Sequence, residues 1–133
     1  YKIAEKQIKV FNKTASAFRY FTPIESIQHK AKCASEVISL NVQFGEGWLL
    51  PAEVISMAKQ NINHVISLQP FGCIANQIIS KGMEKRIKEL YPDMQMLSLD
   101  FDGGISEVNM RNRLLLFVND LIGEEQKVQT ASL

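Results

Sequence analysis

The stretch Asn63-His64-Val65-Ile66-Ser67-Leu68-Gln69-Pro70-Phe71-Gly72-Cys73-Ile74-Ala75-Asn76 decides how this chain is read. Its first seven residues form an apolar run of strand length that reads as buried, and Pro70 and Gly72 punctuate its end. Residues 73–90 change to a helical rhythm, which Tyr91-Pro92 brings to a stop. A second strand is expected at residues 94–101. Strand, helix and strand make a βαβ unit, whose strands lie parallel and whose crossover is right-handed. Cys73 falls at or near the N-cap of the crossover helix. Free N–H groups and the positive end of the helix dipole favour a thiolate there, and ligands gather at that edge of a parallel sheet. The pattern leaves a second reading open, in which Cys73 is a small packing residue at a tight turn.

Outward from this unit the chain is rich in helical patterns. Ile8, Phe11, Ala15 and Phe18 mark one face of a first helix over residues 3–20. Thr22 as N-cap, Pro23 at the first helical position and Glu25 in the first turn open a second helix, expected over residues 23–42. Its apolar stripe is Ile24, Ile27, Ala31, Ala34 and Ile38, with Cys33 half-buried beside it. A loop follows at residues 44–50, built on Gly45-Glu46-Gly47-Trp48, and a short helix runs from Pro51 to about Gln60. Beyond the second strand, Asp100-Phe101-Asp102-Gly103-Gly104 makes a turn. Ser106 caps a final helix to about Ile122, and its Leu114-Leu115-Leu116-Phe117-Val118 run implies burial on two sides. Gly123 is expected to end that helix and leave residues 124–133 as a polar tail or linker.

These elements predict a helix-rich α/β domain over residues 1–122 with a small parallel sheet. Two parallel strands alone leave too much surface uncovered, so the sheet is expected to belong to a larger one in a longer parent chain. The first two helices could cover it. The opening on Tyr1, inside helical sequence, also suits a fragment.

Composition is that of a globular domain, 46% hydrophobic and 22% charged, with a net charge of +1. Such a balance gives no reason to expect nucleic acid or an anionic membrane as a partner. No apolar run reaches the roughly 18 residues that span a bilayer. Two cysteines are too few for a disulfide scaffold and fit a reducing, cytoplasmic setting. An exposed Phe11–Phe18 stripe on the first helix would favour a homodimer.

Three loops can carry chemistry, at residues 44–50, 69–76 and 100–106. The last two follow parallel strands and emerge on one edge of the sheet. Asp100, Asp102 and Glu107 could offer oxygens to a divalent cation, but acids before a helix more often cap it and complement its dipole. Glu46, between two glycines, either reaches a site or sits in an exposed turn. Trp48 reads as a packing residue, and His29 and His64 lack a metal-ligand partner at useful spacing. Asn76, Gln77, Lys81, Lys85 and Arg86 form the polar face of the crossover helix, and Gly82 interrupts it early. The chain has no P-loop, no G-x-G-x-x-G, no G-x-S-x-G and no C-x-x-C.

Three phrases carry a more specific resemblance. They are Gly45-Glu46-Gly47-Trp48-Leu49-Leu50; Gln69-Pro70-Phe71-Gly72-Cys73 with Lys81-Gly82-Met83; and Asp100-Phe101-Asp102-Gly103-Gly104-Ile105-Ser106-Glu107-Val108-Asn109-Met110-Arg111-Asn112-Arg113. In this order and spacing the chain resembles the C-terminal region of the large activase-like relatives of 2-hydroxyacyl-CoA dehydratases, the CoA-substrate-specific enzyme activases or 2-hydroxyglutaryl-CoA dehydratase activators. The resemblance is concentrated in residues 44–118. It implies a cytoplasmic iron–sulfur protein of anaerobic bacteria, in which an actin-like ATPase module drives low-potential electrons to a 4Fe–4S centre. This chain carries none of the ATPase motifs and would correspond to the acceptor-like part. The resemblance implies Cys73 as a ligand of an iron–sulfur cluster in the parent protein, its other ligands coming from outside this chain. Around it, Glu46, Gln69, Gly72, Asn76, Asp100, Asp102, Ser106, Glu107 and Asn109 would line the site. The family turn has a tyrosine where this chain has Phe101, so no role resting on that hydroxyl transfers. The fragment alone is expected to perform no turnover. The alternative is a docking domain of the same assembly, with Cys73 as a packing residue.

Overall fold

The computed structural model describes residues 2–131, with side chains through residue 123. Parallel strands β1 (His64–Pro70) and β2 (Gln95–Phe101) pair from His64 opposite Gln95 to Pro70 opposite Phe101. Both lie within one residue of the bounds expected from sequence, and the chain is α/β with a two-stranded parallel sheet and five α-helices. The helices are α1 (Lys2–Ala15), α2 (Ile27–Ala34), α3 (Leu49–Lys59), α4 (Lys81–Leu90) and α5 (Glu107–Ala131). A π-helical turn, Ala75–Ser80, leads into α4.

The pleat sends alternate side chains to opposite faces. Val65 and Met96, partners in register, point to the inner face and pack on a core of Cys33, Ala34, Ala52, Val54, Ile55, Ala58, Ile87 and Met94. These residues come from α2, α3, α4 and the approach to β2, so α3 and α4 lie against the sheet and α2 packs on α3. The first two helices, which could have covered the sheet, therefore do not. Cys33 is fully buried rather than half-buried.

The outer face is open where a buried strand was expected. Ile66 and Leu68 are 42% and 57% exposed, and Phe101 is exposed beside them. The reason is the placement of α5, which lies along β2, meets β1 at His64 and leaves Ile66 and Leu68 uncovered. The Phe117 ring meets His64 edge-on at 6.3 Å. Leu114, Leu115, Leu116 and Val118 remain exposed, so the apolar run of α5 is not buried on two sides. The helix also runs on through Gly123 to Ala131, where an end near Ile122 and a tail were expected. One glycine costs a helix only about 1 kcal/mol, too little to stop it. Residues 132–133 of the expected tail lie outside the described residues.

Two other helices are shorter than their sequence rhythm. α1 ends at Ala15 rather than Tyr20. Thr14 and Ser16 turn their hydroxyls onto the carbonyls of Val10 and Lys13, a competition that weakens helix ends, and no core lies beneath Phe18, which is 73% exposed. α2 starts at Ile27 with Ser26 as its N-cap, not Thr22. The side chain of Asn12 donates to Ile24 O and accepts from Ile24 N, both at 2.9 Å. With its N–H and C=O so bound, Ile24 cannot join the α2 ladder. α2 closes at Ala34, not Val42, as Ser35 Oγ takes the Lys32 carbonyl at 2.7 Å.

Candidate functional site

Gln69 brings β1 to its end with a side chain only 1% exposed. Pro70 and Gly72 then reverse the chain, with Gly72 at φ +71° and Cys73 N donating to Pro70 O at 3.1 Å. A left-handed φ is what only glycine adopts cheaply. Cys73 sits just ahead of the π-helical turn, its carbonyl accepting from Gln77 N at 2.9 Å, so the expected place at the helix mouth is where it stands. The residue is partly exposed. Asn76 Nδ2 donates to Cys73 Sγ at 3.2 Å, and Gln69 Nε2 donates to the Asn76 carbonyl at 3.3 Å. Gln69 and Asn76 are both buried. The result is a short polar chain from the end of β1 to the sulfur, set on a π-helical turn, a geometry frequent at functional sites.

The glycine loop of residues 44–48 lies against this turn. A Cβ on Gly47 would fall on Ile79 Cδ1 and come within 3.0 Å of Phe44 O, while Gly45 takes φ +56°. Glu46 is carried, exposed, on the loop between them. The first and second loops therefore meet.

The third loop starts beside the second but opens on its own recess. Asp100 is the ladder partner of Gln69. With Ser106 and Asn109 it lines a recess of about 70 Å³ at the start of α5, and Cys73 is not in its wall. Asp102 Oδ1 accepts from Gly104 N at 2.7 Å and Ser106 Oγ from Asn109 N at 3.4 Å, so both close the turn and cap the helix. Glu107 lies on the outer face, in a groove with Phe101 and Leu68. Among the described residues, no three His, Cys, Asp or Glu side chains could hold a metal ion.

Sequence reasoning missed a polar cluster between α2 and α3. Glu25 accepts from Ser56 Oγ, from Gln60 Nε2 at 3.2 Å, from Lys30 Nζ at 3.0 Å and from His29 Nε2 at 3.2 Å. Partial burial works to raise the Glu25 carboxyl, but bonds from Ser56 and Lys30 and the charges of Lys30 and His29 hold it below its ordinary range. Lys59 and Tyr91 both donate to Glu36, the tyrosine at 2.9 Å. Cys33 Sγ lies 3.6 Å from His29 Nε2 and 3.8 Å from Lys59 Nζ. This is no catalytic relay: the thiol is fully buried, and the imidazole turns the same nitrogen to Cys33 and to Glu25. Only the Glu25–His29 spacing was visible in sequence, since Glu36, Lys59 and Tyr91 meet through the fold.

No family model, curated protein or solved structure matches this chain.

Proposed function

We propose that this domain is the acceptor-side piece of an activase/dehydratase-like iron–sulfur protein. In this reading it works in the cytoplasm beside an ATPase module of the same parent chain and contributes to ATP-driven, low-potential electron transfer to a CoA-thioester dehydratase-type site. The observation that carries it is Cys73, a partly exposed residue just past the end of a parallel strand whose sulfur accepts from the Asn76 amide. The resemblance across residues 44–118 supports the same reading. No helix is long and apolar enough to cross a membrane among the described residues.

The fit to a cluster is that of one ligand and not of a set. A 4Fe–4S centre takes four thiolates as a rule, and this chain places Cys73 at the site with no second cysteine beside it. When bound, such a centre supplies one-electron transfer. The residues here would hold it: Cys73 as one thiolate, Asn76 as donor to its sulfur, and Gln69 as the strut that fixes the turn carrying Asn76. The remaining ligands would come from other segments, so the chain alone performs no turnover.

A second reading rests on the bare outer face of the sheet, where Ile66, Leu68 and Phe101 are exposed. It makes the domain a docking module with Cys73 as a packing residue. One measurement separates the two: anaerobic iron and sulfide content with electron paramagnetic resonance on the parent protein, its ATPase cluster removed by mutation, and on its Cys73→Ser variant. A signal lost in a folded variant supports the ligand reading. Unchanged iron leaves the docking reading.

A further inference from the structure

The net charge of +1 conceals a separation of charge. Residues 2–20 carry five lysines and arginines against Glu5, while the rest of the chain carries ten against thirteen acids. Four of the five stand on α1. Lys2, Lys6, Lys9 and Lys13 follow at steps of four, three and four residues, which lays them in a row along one side of the helix. At 1.5 Å per residue the row is about 17 Å long. All four are exposed, and none is paired with an acid among the described residues. The solvated side of α4 differs: it pairs Lys88 with Glu84 and Arg86 with Glu89.

Apolar side chains flank the lysine row. Val10 lies one turn from both Lys6 and Lys13, and Ile3 one turn from Lys6. Ile3 and Val10 are 80% and 55% exposed. The helix is also loosely seated. It packs closely on no other helix or strand and is tied to the segment that follows it, by Asn12 to Ile24 and by the Phe11 ring edge-on to Phe21 at 6.0 Å. An apolar recess of about 440 Å³ opens between it and Ile24 and Ile27. A helix of 14 residues with so little support is marginal in water.

We propose that α1 lies on the surface of an anionic lipid bilayer. Ile3 and Val10 enter the boundary between headgroups and acyl chains, and the lysine row meets the negative headgroups beside them. Lysine stems reach along such a boundary with their charge in water. A bilayer fits better than nucleic acid, because the row on α1 holds no arginine and runs beside apolar side chains that a phosphate backbone leaves in water. Among the described residues no helix is long and apolar enough to cross a membrane, so the contact is at the surface. It uses no residue of the Cys73 site and stands whether or not that cysteine holds a cluster.

The test is flotation of the 133-residue chain with vesicles of phosphatidylcholine alone or mixed with phosphatidylserine. Binding is expected to the mixed vesicles only and should weaken as salt rises. Each lysine close to an anionic surface is worth about fivefold, so Lys6→Gln with Lys13→Gln should cost about 25-fold. Lys81→Gln with Lys85→Gln on α4 changes the net charge equally and should leave binding as it was. Ile3→Ser with Val10→Ser should weaken it by about tenfold at unchanged charge. All six positions are exposed, and far-ultraviolet circular dichroism checks that each variant is folded. No binding to the mixed vesicles at low salt overturns the inference, as do equal losses in the two lysine pairs or no loss in the serine pair. Tighter binding to a DNA duplex than to vesicles overturns it too. So does a dimer in sedimentation velocity that the serine pair dissociates, since a second copy would then be the occupant of this face.

Discussion

Ile87 and Ile55 have no exposed surface and belong to a core built from α2, α3, α4 and the approach to β2. Removing the side chain of Ile87 takes its apolar area out of that core and leaves a cavity that neighbours fill only in part. Ile87→Ala should therefore cost about 2–5 kcal/mol, read as a lower urea midpoint at unchanged slope. A loss within about 0.5 kcal/mol, the scatter of surface substitutions, would show that the core is not packed as described. Gly47 is limited in the opposite direction. A methyl there meets the buried Ile79 side chain and the Phe44 carbonyl, so Gly47→Ala should destabilise by about 1–3 kcal/mol. If its stability stayed at the wild-type value, the loop would not lie against the π-helical turn that carries Asn76.

Between elements, the turn from α3 into β1 puts Asn61 at φ 61°, in the left-handed region. Asparagine tolerates that region and a β-branched residue does not. Asn61→Gly should hold stability to within about 0.5 kcal/mol, while Asn61→Val should lose about 1–2 kcal/mol. Equal losses in thermal melts of the two variants would rule out strain as the cause. The neighbouring βαβ unit was legible in sequence because its signals are local: two apolar runs, Pro70 and Gly72 at one end, Tyr91-Pro92 at the other. The same locality put Cys73 at the helix mouth. What was not legible comes from bonds between distant residues. Asn12 reaches Ile24 and shortens α2 at its start, and the packing of Gly47 on Ile79 joins the first loop to the Cys73 turn. Nor does the pattern of residues 100–109 reveal that Glu107 leaves the other acids for the outer face, because that depends on where α5 crosses β2.

Across the whole molecule, the two ends of α2 are fastened to their neighbours by two carboxylates, Glu25 just before the helix and Glu36 just after it, and stability should follow their titration. Glu25 binds Ser56, Gln60, Lys30 and His29, and Lys30 continues to Glu53 at 2.7 Å. Glu36 is held below the ordinary carboxylate value of 4.5 by its bond from Lys59, against some burial, and by Tyr91. A group whose pKa is lower folded than unfolded stabilises the fold fully above the unfolded value. That contribution is lost as pH falls through the folded value. The acid limb should therefore begin near pH 4.5 and deepen below it. On the alkaline side the sign reverses. Burial works to lower Lys30, but Glu53 and Glu25 raise it; the bond to Glu36 raises Lys59; burial and then Glu36 raise Tyr91. Their contributions are complete below the ordinary values of 10.5 for lysine and 10.0 for tyrosine and disappear above them. Urea midpoints should thus form a plateau through neutral pH that falls at both ends. Glu25→Gln should lower the plateau and flatten the acid limb without removing it, since Glu36 still titrates, and the double variant with Glu36→Gln should flatten it further. An acid limb as steep in the double variant as in the parent would place the titration in other carboxylates and leave this cluster without a role in holding α2 to the body.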